Sequence, residues 1–247
     1  MTAAPAAFLV VVAFLTATLS GIFGMAGGLV LMGALALVLP VAACFVTHGI
    51  LQLVANGWRA ILHRQHIAWP ILINYAIASI AAGAVVAVIA ITPSKPVLFL
   101  LLGLVAMLVW LPKNWLSLDA AKPAHALLSG FLVTVTNLTA GVAGPLLDVF
   151  FVRTSLNRHQ IVATKAATQV FSHAAKIIVY GGLLAGAEAG AIPPLWVFAI
   201  AIPASMLGTT AGGWVLDRMS DTDFKRWTAW IVSAIGLFYL AKAAMTW

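Results

Sequence analysis

Charge is what this chain has least of. Only 8% of its 247 residues are Asp, Glu, Lys or Arg, against 63% hydrophobic, and just 6 are acidic. A soluble domain carries about a quarter charged residues, so the ordinary soluble class is excluded. The single cysteine, Cys44, excludes an internal disulfide framework and argues against a thiolate metal site. Paired catalytic carboxylates, H-E-x-x-H, G-x-S-x-G and a G-x-x-x-x-G-K-S/T phosphate loop are all missing from the sequence. The chain is therefore not expected to be an enzyme, to hydrolyse ATP, or to need a metal or cofactor. No basic residue precedes the first apolar stretch, which speaks against a cleaved signal peptide. The net charge of +7 comes from cations placed singly at segment ends, as topology determinants are, so nucleic acid is not an expected partner.

What remains is long apolar runs. Eight hydrophobic segments read as Phe8 to Leu39, Val41 to Leu62, Ile67 to Ile91, Val97 to Leu111, Ala124 to Val152, Ile161 to Leu184, Leu195 to Leu216 and Trp227 to Met245. Such lengths fit an all-α integral membrane protein. The longest polar gap, Pro112 to Pro123, is too short to fold alone, so one membrane domain is expected. Tryptophans such as Trp69, Trp110, Trp115, Trp196 and Trp227 flank the segments as an interfacial belt does.

Two segments are anomalous. Phe8 to Leu39 would be roughly 48 Å long as one straight helix, against an apolar core of about 30 Å. Its middle, Ser20-Gly21-Ile22-Phe23-Gly24-Met25-Ala26-Gly27-Gly28, is a poor helix interior. Ala124 to Val152 is interrupted in the same way by Asn137-Leu138-Thr139-Ala140-Gly141-Val142-Ala143-Gly144-Pro145, where Pro145 suits the first turn of a restarting helix. One constant shift of 117 residues pairs Gly24 with Gly141, Gly27 with Gly144, Thr47 with Thr164, Gln52 with Gln169 and Arg59 with Lys176. The chain reads as a duplication of two four-segment repeats, residues 1–112 and 123–247.

Basic residues choose between topologies. With all eight segments spanning, the cations at or near the segment ends divide five against six between the two faces. If each broken segment instead turns back to the face it came from, Arg59, Arg64, Lys113, Lys122, Arg153, Arg158, Arg218, Lys225 and Arg226 share one face. Only Lys95 and Lys242 then lie on the other. The second arrangement is expected: re-entrant hairpins with arms of about 12 residues reaching just past the midplane. Both termini are then non-cytoplasmic, and the two repeats are inverted relative to each other, a common construction in secondary transporters.

Backbone that is not helical survives in a membrane only where it packs in protein or lines a cavity. The turns containing Gly24, Gly27 and Gly28, and Gly141 and Gly144, either pack helices closely or present N–H groups and helix N-termini to an anion. Beside them runs a polar stripe. His48, Gln52, Asn56 and Arg59 share one helical face, and Lys165, Gln169, His173 and Lys176 share the equivalent face, widened by Thr164, Thr168 and Ser172. These residues are candidate substrate ligands, with Arg59 and Lys176 as gating or coupling residues or as snorkelling ones. Asp148, the one acid within a hydrophobic segment, either neutralises Lys165 or Arg153 or exchanges protons. Asn137 and Thr139 either donate to a bound oxyanion or cap a helix end.

At these residues the sequence resembles the sulfite exporter TauE/SafE family. The features are Gly21-x-x-Gly24-x-x-Gly27-Gly28, Gly141-x-x-Gly144-Pro145, and Arg158-x-x-Ile161-Val162-Ala163-Thr164 followed by Lys176 and Tyr180. Where the family often has a Gly-Gly-Gly run, this chain has Met25-Ala26-Gly27-Gly28. The resemblance implies export of sulfite or a small organosulfonate such as sulfoacetate through the bacterial inner membrane. A secondary transporter working by alternating access is the leading expectation, with proton coupling left open. A passive anion channel, or transport of another small anion, is the alternative. The partners implied are the anion and the lipid bilayer, with homodimerisation left open.

Overall fold

The computed structural model describes residues 2–24, 26–89, 92–112, 117–187 and 191–247; Met25, Ile91, Lys113 and Trp115 thus lie outside the described residues. Among the described residues ten α-helices follow one another: α1 (Ala3–Phe23), α2 (Ala26–Val38), α3 (Val41–Leu62), α4 (Trp69–Ile89), α5 (Lys95–Met107), α6 (Pro123–Thr139), α7 (Gly144–Phe151), α8 (Arg158–Ala187), α9 (Leu195–Leu216) and α10 (Asp221–Thr246). Prolines mark the starts. Pro96, Pro123 and Pro145 occupy the first two positions of α5, α6 and α7, where a missing N–H is harmless. Five stretches, in α1, α3, α4, α9 and α10, are long and apolar enough to cross a bilayer.

Both glycine-rich interruptions are real breaks. Gly24 and Gly141 have φ of 68° and 79°, a region that residues with a Cβ rarely adopt. After Gly24 the chain turns back: Gly27 lies against the backbone of Thr16 and Ser20. In one continuing helix residues 16 and 27 would be about 16 Å apart. Ser20 fastens the turn, its Oγ donating to the Gly24 carbonyl at 2.6 Å while its own carbonyl accepts from the Gly24 N–H. In the second break, α7 folds against α6.

The arms, however, are unequal, which corrects the expected pair of about 12 residues. They have 21 and 13 residues in the first hairpin and 17 and 8 in the second. The alanine-rich start, Ala3 to Ala7, extends α1 ahead of Phe8, so α1 is by itself long enough to cross. The returning arms are short because each helix restarts only after the glycine turn.

Packing follows the pairing of helices that the 117-residue shift gives. α1 packs on α9 and α4 on α6, while the equivalent helices α3 and α8 pack on each other, as do α5 and α10. Exchanging each helix for its mate leaves this set of pairs unchanged. Directions follow from which residues meet. Gly49 and Gly57 of α3 face Ile177 and Val170 of α8, so these mates run antiparallel. Gly103 faces Leu240 and Trp110 donates to Ser233 at 2.7 Å, so α5 and α10 also run antiparallel. By contrast Gly130 lies on Tyr75 and Thr134 bonds to Ser79 at 2.7 Å, so α4 and α6 run parallel.

α3 is the innermost of the five crossing-length helices: 67% of its window is buried, against 33–44% for the others. The outer helices carry apolar side chains outward, for example Val88, Leu195 and Leu207. Such a surface needs lipid to cover it. The polar stripe, meanwhile, is turned inward.

Candidate substrate-binding site

The site forms where the two breaks meet the central pair α3 and α8. Helix breaks expose carbonyls as well as N–H groups, and here side chains from packing helices take up the carbonyls. His48 Nε2 lies 3.0 Å from the Gly28 carbonyl, and Lys176 Nζ donates to the Gly141 carbonyl at 2.5 Å. Lys176 Nζ is also 3.2 Å from His48 Nδ1, so the run from Gly28 through His48 and Lys176 to Gly141 ties one break to the other. A carbonyl can only accept and an ammonium can only donate. The run therefore needs a neutral His48, protonated on Nε2. Tyr239 and Tyr180 donate to the carbonyls of Leu29 and Leu138 at 2.6 and 2.5 Å. At the starts of α2 and α7 the first N–H groups have no partner within their own helices.

These starts line a small inner cavity of about 20 Å³, together with Gly24, Gly28, His48, Gln52, Asn137, Gly144, Gln169 and His173. Room of that size holds about one water. Gln52 and Gln169, equivalent residues of the two repeats, both reach it. Asn137 Nδ2 lies 3.4 Å from His173 Nδ1, leaving Asn137 Oδ1 buried without a partner among the described residues. A half-turn of that amide presents a donor instead, and amides reorient in this way to suit their neighbours. The cavity thus gathers amide and imidazole groups plus two helix N-termini. No carboxylate lines it among the described residues.

Other candidates lie around it. Asn56 borders the cavity's edge, its Nδ2 donating to Gln52 at 3.0 Å (backbone) and 3.3 Å (side chain). Gly27 serves close packing of α1 on α2. Gly141 serves the turn. Thr139 bonds back to the Val135 carbonyl at 2.9 Å and Thr168 to that of Lys165 at 2.9 Å, each within its own helix. Thr164 accepts from the Ala68 N–H at 2.9 Å, anchoring the α3–α4 connection to α8. Lys165 does not line the cavity; it forms an ion pair with Asp148. Arg59 is buried and lies beyond Asn56, to whose Oδ1 its Nη1 reaches at 3.5 Å. At the end of α3, His63 is held below its ordinary pKa, first by burial and then by the Arg59 guanidinium.

Two groups escaped the reading of the sequence. Tyr239 acts as a clamp on α2, and a buried hydroxyl run links Tyr75 to Ser172 (2.5 Å), Ser172 to Thr134 (2.9 Å) and Thr134 to Ser79 (2.7 Å). The available signal was tyrosine itself. The chain has only 3, and all are buried mid-segment, where a hydroxyl needs a partner.

A family model described as Sulfite exporter TauE/SafE matches residues 9–239. The chain belongs to that family, one of membrane transport proteins. No curated protein matches it. No solved structure does either.

Proposed function

We propose that this member of the sulfite exporter family is a secondary transporter that moves a small sulfur oxyanion, sulfite or an organosulfonate such as sulfoacetate, out through the bacterial plasma membrane. One observation carries the reading: Gln52 and Gln169, equivalent residues of the two repeats, reach one inner cavity at the starts of α2 and α7. Helix N-termini and amide donors suit an oxyanion, whose charge they meet without a cationic side chain in contact. A cavity free of carboxylates suits it too.

Alternating access is supported by two features. The mates α3 and α8, and α5 and α10, run antiparallel, as inverted repeats require. The inner cavity, at about 20 Å³, is too small for the cargo. The two repeats must therefore part on one side to admit it and on the other to release it. Nine cations fall on the face at which α3 ends, which favours that face as cytoplasmic and both termini as non-cytoplasmic.

Vesicles containing the purified protein and loaded with labelled sulfite test this. Efflux should saturate with concentration and respond to an imposed pH gradient if protons are coupled. Gln52→Leu and Gln169→Leu should each lower efflux about tenfold, the order expected for one lost hydrogen bond to an anion. Absence of saturable efflux for both sulfite and sulfoacetate would overturn the reading.

A further inference from the structure

A second cavity, of about 320 Å³, lies at the end of α3 and is lined by Arg59, His63, Arg158, His159, Thr209 and Asp217. It is roomy where the inner cavity is tight. Its charge is lopsided, with two arginines against one carboxylate among the described residues. Two of its groups are unaccounted for. Arg59, 7% exposed, has Nη2 buried without a partner among the described residues, and Thr209, 3% exposed, has Oγ1 in the same condition. A buried guanidinium N–H left unmet is costly, and so is a buried hydroxyl. Both residues belong to the wall of one cavity and come from different helices, α3 and α9.

A run of side-chain contacts along α3 links the wall of this cavity to that of the inner one. Arg59 Nη1 reaches Asn56 Oδ1 at 3.5 Å, and Asn56 Nδ2 reaches Gln52 Oε1 at 3.3 Å. Gln52 lines the inner cavity. One helix face thus carries polar groups from the outer cavity to the inner.

We propose that the outer cavity is a second oxyanion site, a loading vestibule in which Arg59 and Thr209 hold the anion before it passes along α3 to the inner cavity. This rests on the transporter reading and adds to it a place where cargo waits. A guanidinium and a hydroxyl fit a sulfur oxyanion or sulfonate, and about 320 Å³ admits one with part of its water. The single buried native thiol, Cys44, allows a clean probe.

In a Cys44→Ser background, Val162→Cys places one thiol in the vestibule wall. Its reaction with an anionic methanethiosulfonate reagent is compared with that of a cationic one, each normalised to free thiol. The anionic reagent should be favoured about tenfold, since a cleft of one sign concentrates counter-ions. Millimolar sulfate should slow it. Arg59→Gln should abolish the preference, Arg59→Lys should keep most of it, and Thr209→Val should weaken sulfate protection alone. Equal normalised rates in the parent, or a preference unchanged in Arg59→Gln, would overturn the proposal. If Arg59→Gln does not fold, full sulfate protection retained in Thr209→Val would overturn it too. Efflux measured on the same proteins separates the two readings. Preference without sulfite efflux removes the transporter and leaves the vestibule. Efflux without preference does the reverse.

Discussion

In the first hairpin the buried residue one turn into the returning arm is Leu31; its equivalent in the second is Asp148, ion-paired with Lys165. The residue equivalent to Lys165 is His48, which binds the Gly28 carbonyl. Positions paired by the 117-residue shift thus carry an apolar contact and a helix-end hydrogen bond in one half, and an ion pair in the other. The turns themselves stayed alike, because Gly24 and Gly141 both need positive φ. Turn geometry tolerates few residues, whereas the second layer of support has several solutions. What the two copies share belongs to the site. Where they differ, the side chains hold the site in place.

The largest effect should come from a residue that only close packing explains. Gly27→Ala would drive a Cβ into the backbone of Thr16 and Ser20, which cannot yield, so the first hairpin should not close. Sulfite efflux should vanish and the purified protein should lose its monodisperse elution. Gly28→Ala is the contrast: its nearest neighbour, Gln52 Oε1, would lie at 3.5 Å, so the fold should survive. Normal efflux in Gly27→Ala would refute the hairpin packing.

Next comes the bridge between the hairpins. Lys176→Met removes the group that meets both the Gly141 carbonyl and His48 Nδ1. Leaving two buried acceptors unmet should cost about 3 kcal/mol. For a chain of this length that is on the order of 10 °C in detergent thermal unfolding. An unchanged melting temperature would show that the bridge is not structural.

The asymmetric ion pair should matter less, since both side chains are partly exposed, at 18% and 30%. Lys165→Met strands Asp148 and should cost about 1 kcal/mol. Adding Asp148→Leu, which copies Leu31, should restore stability, and a double variant no better than the single would show that the pair contributes otherwise. The smallest effect should be that of Thr168→Val, whose hydroxyl only bonds within its own helix. Its stability should stay within about 0.5 kcal/mol of the parent by the same unfolding assay.

Much of this was legible in the chain because a bilayer restricts what backbone can do. Segment ends were read to within a few residues, with Val41–Leu62 and Leu195–Leu216 matching the helices observed. Both breaks were found from their glycines. Arm lengths were not, since apolarity marks membrane depth while helix length depends on where alanine and proline permit a start. Within the site, period 3.6 gave the polar stripe, but it could not separate Gln52 and Gln169, which face the cavity, from Lys165, one turn away and turned toward Asp148.

The sequence by itself determined that this is a helical membrane protein with two glycine turns, because hydropathy and glycine act locally. The tertiary structure decided which stripe residues meet. His48 and Lys176 are 128 positions apart, and only the antiparallel packing of α3 on α8 makes them one bridge between two breaks. The packing of α3 on α9 leaves Arg59 Nη2 and Thr209 Oγ1 buried without partners among the described residues. Such pairings depend on the relative rotation of helices about their axes, and that is fixed by the fit of side chains across the whole bundle.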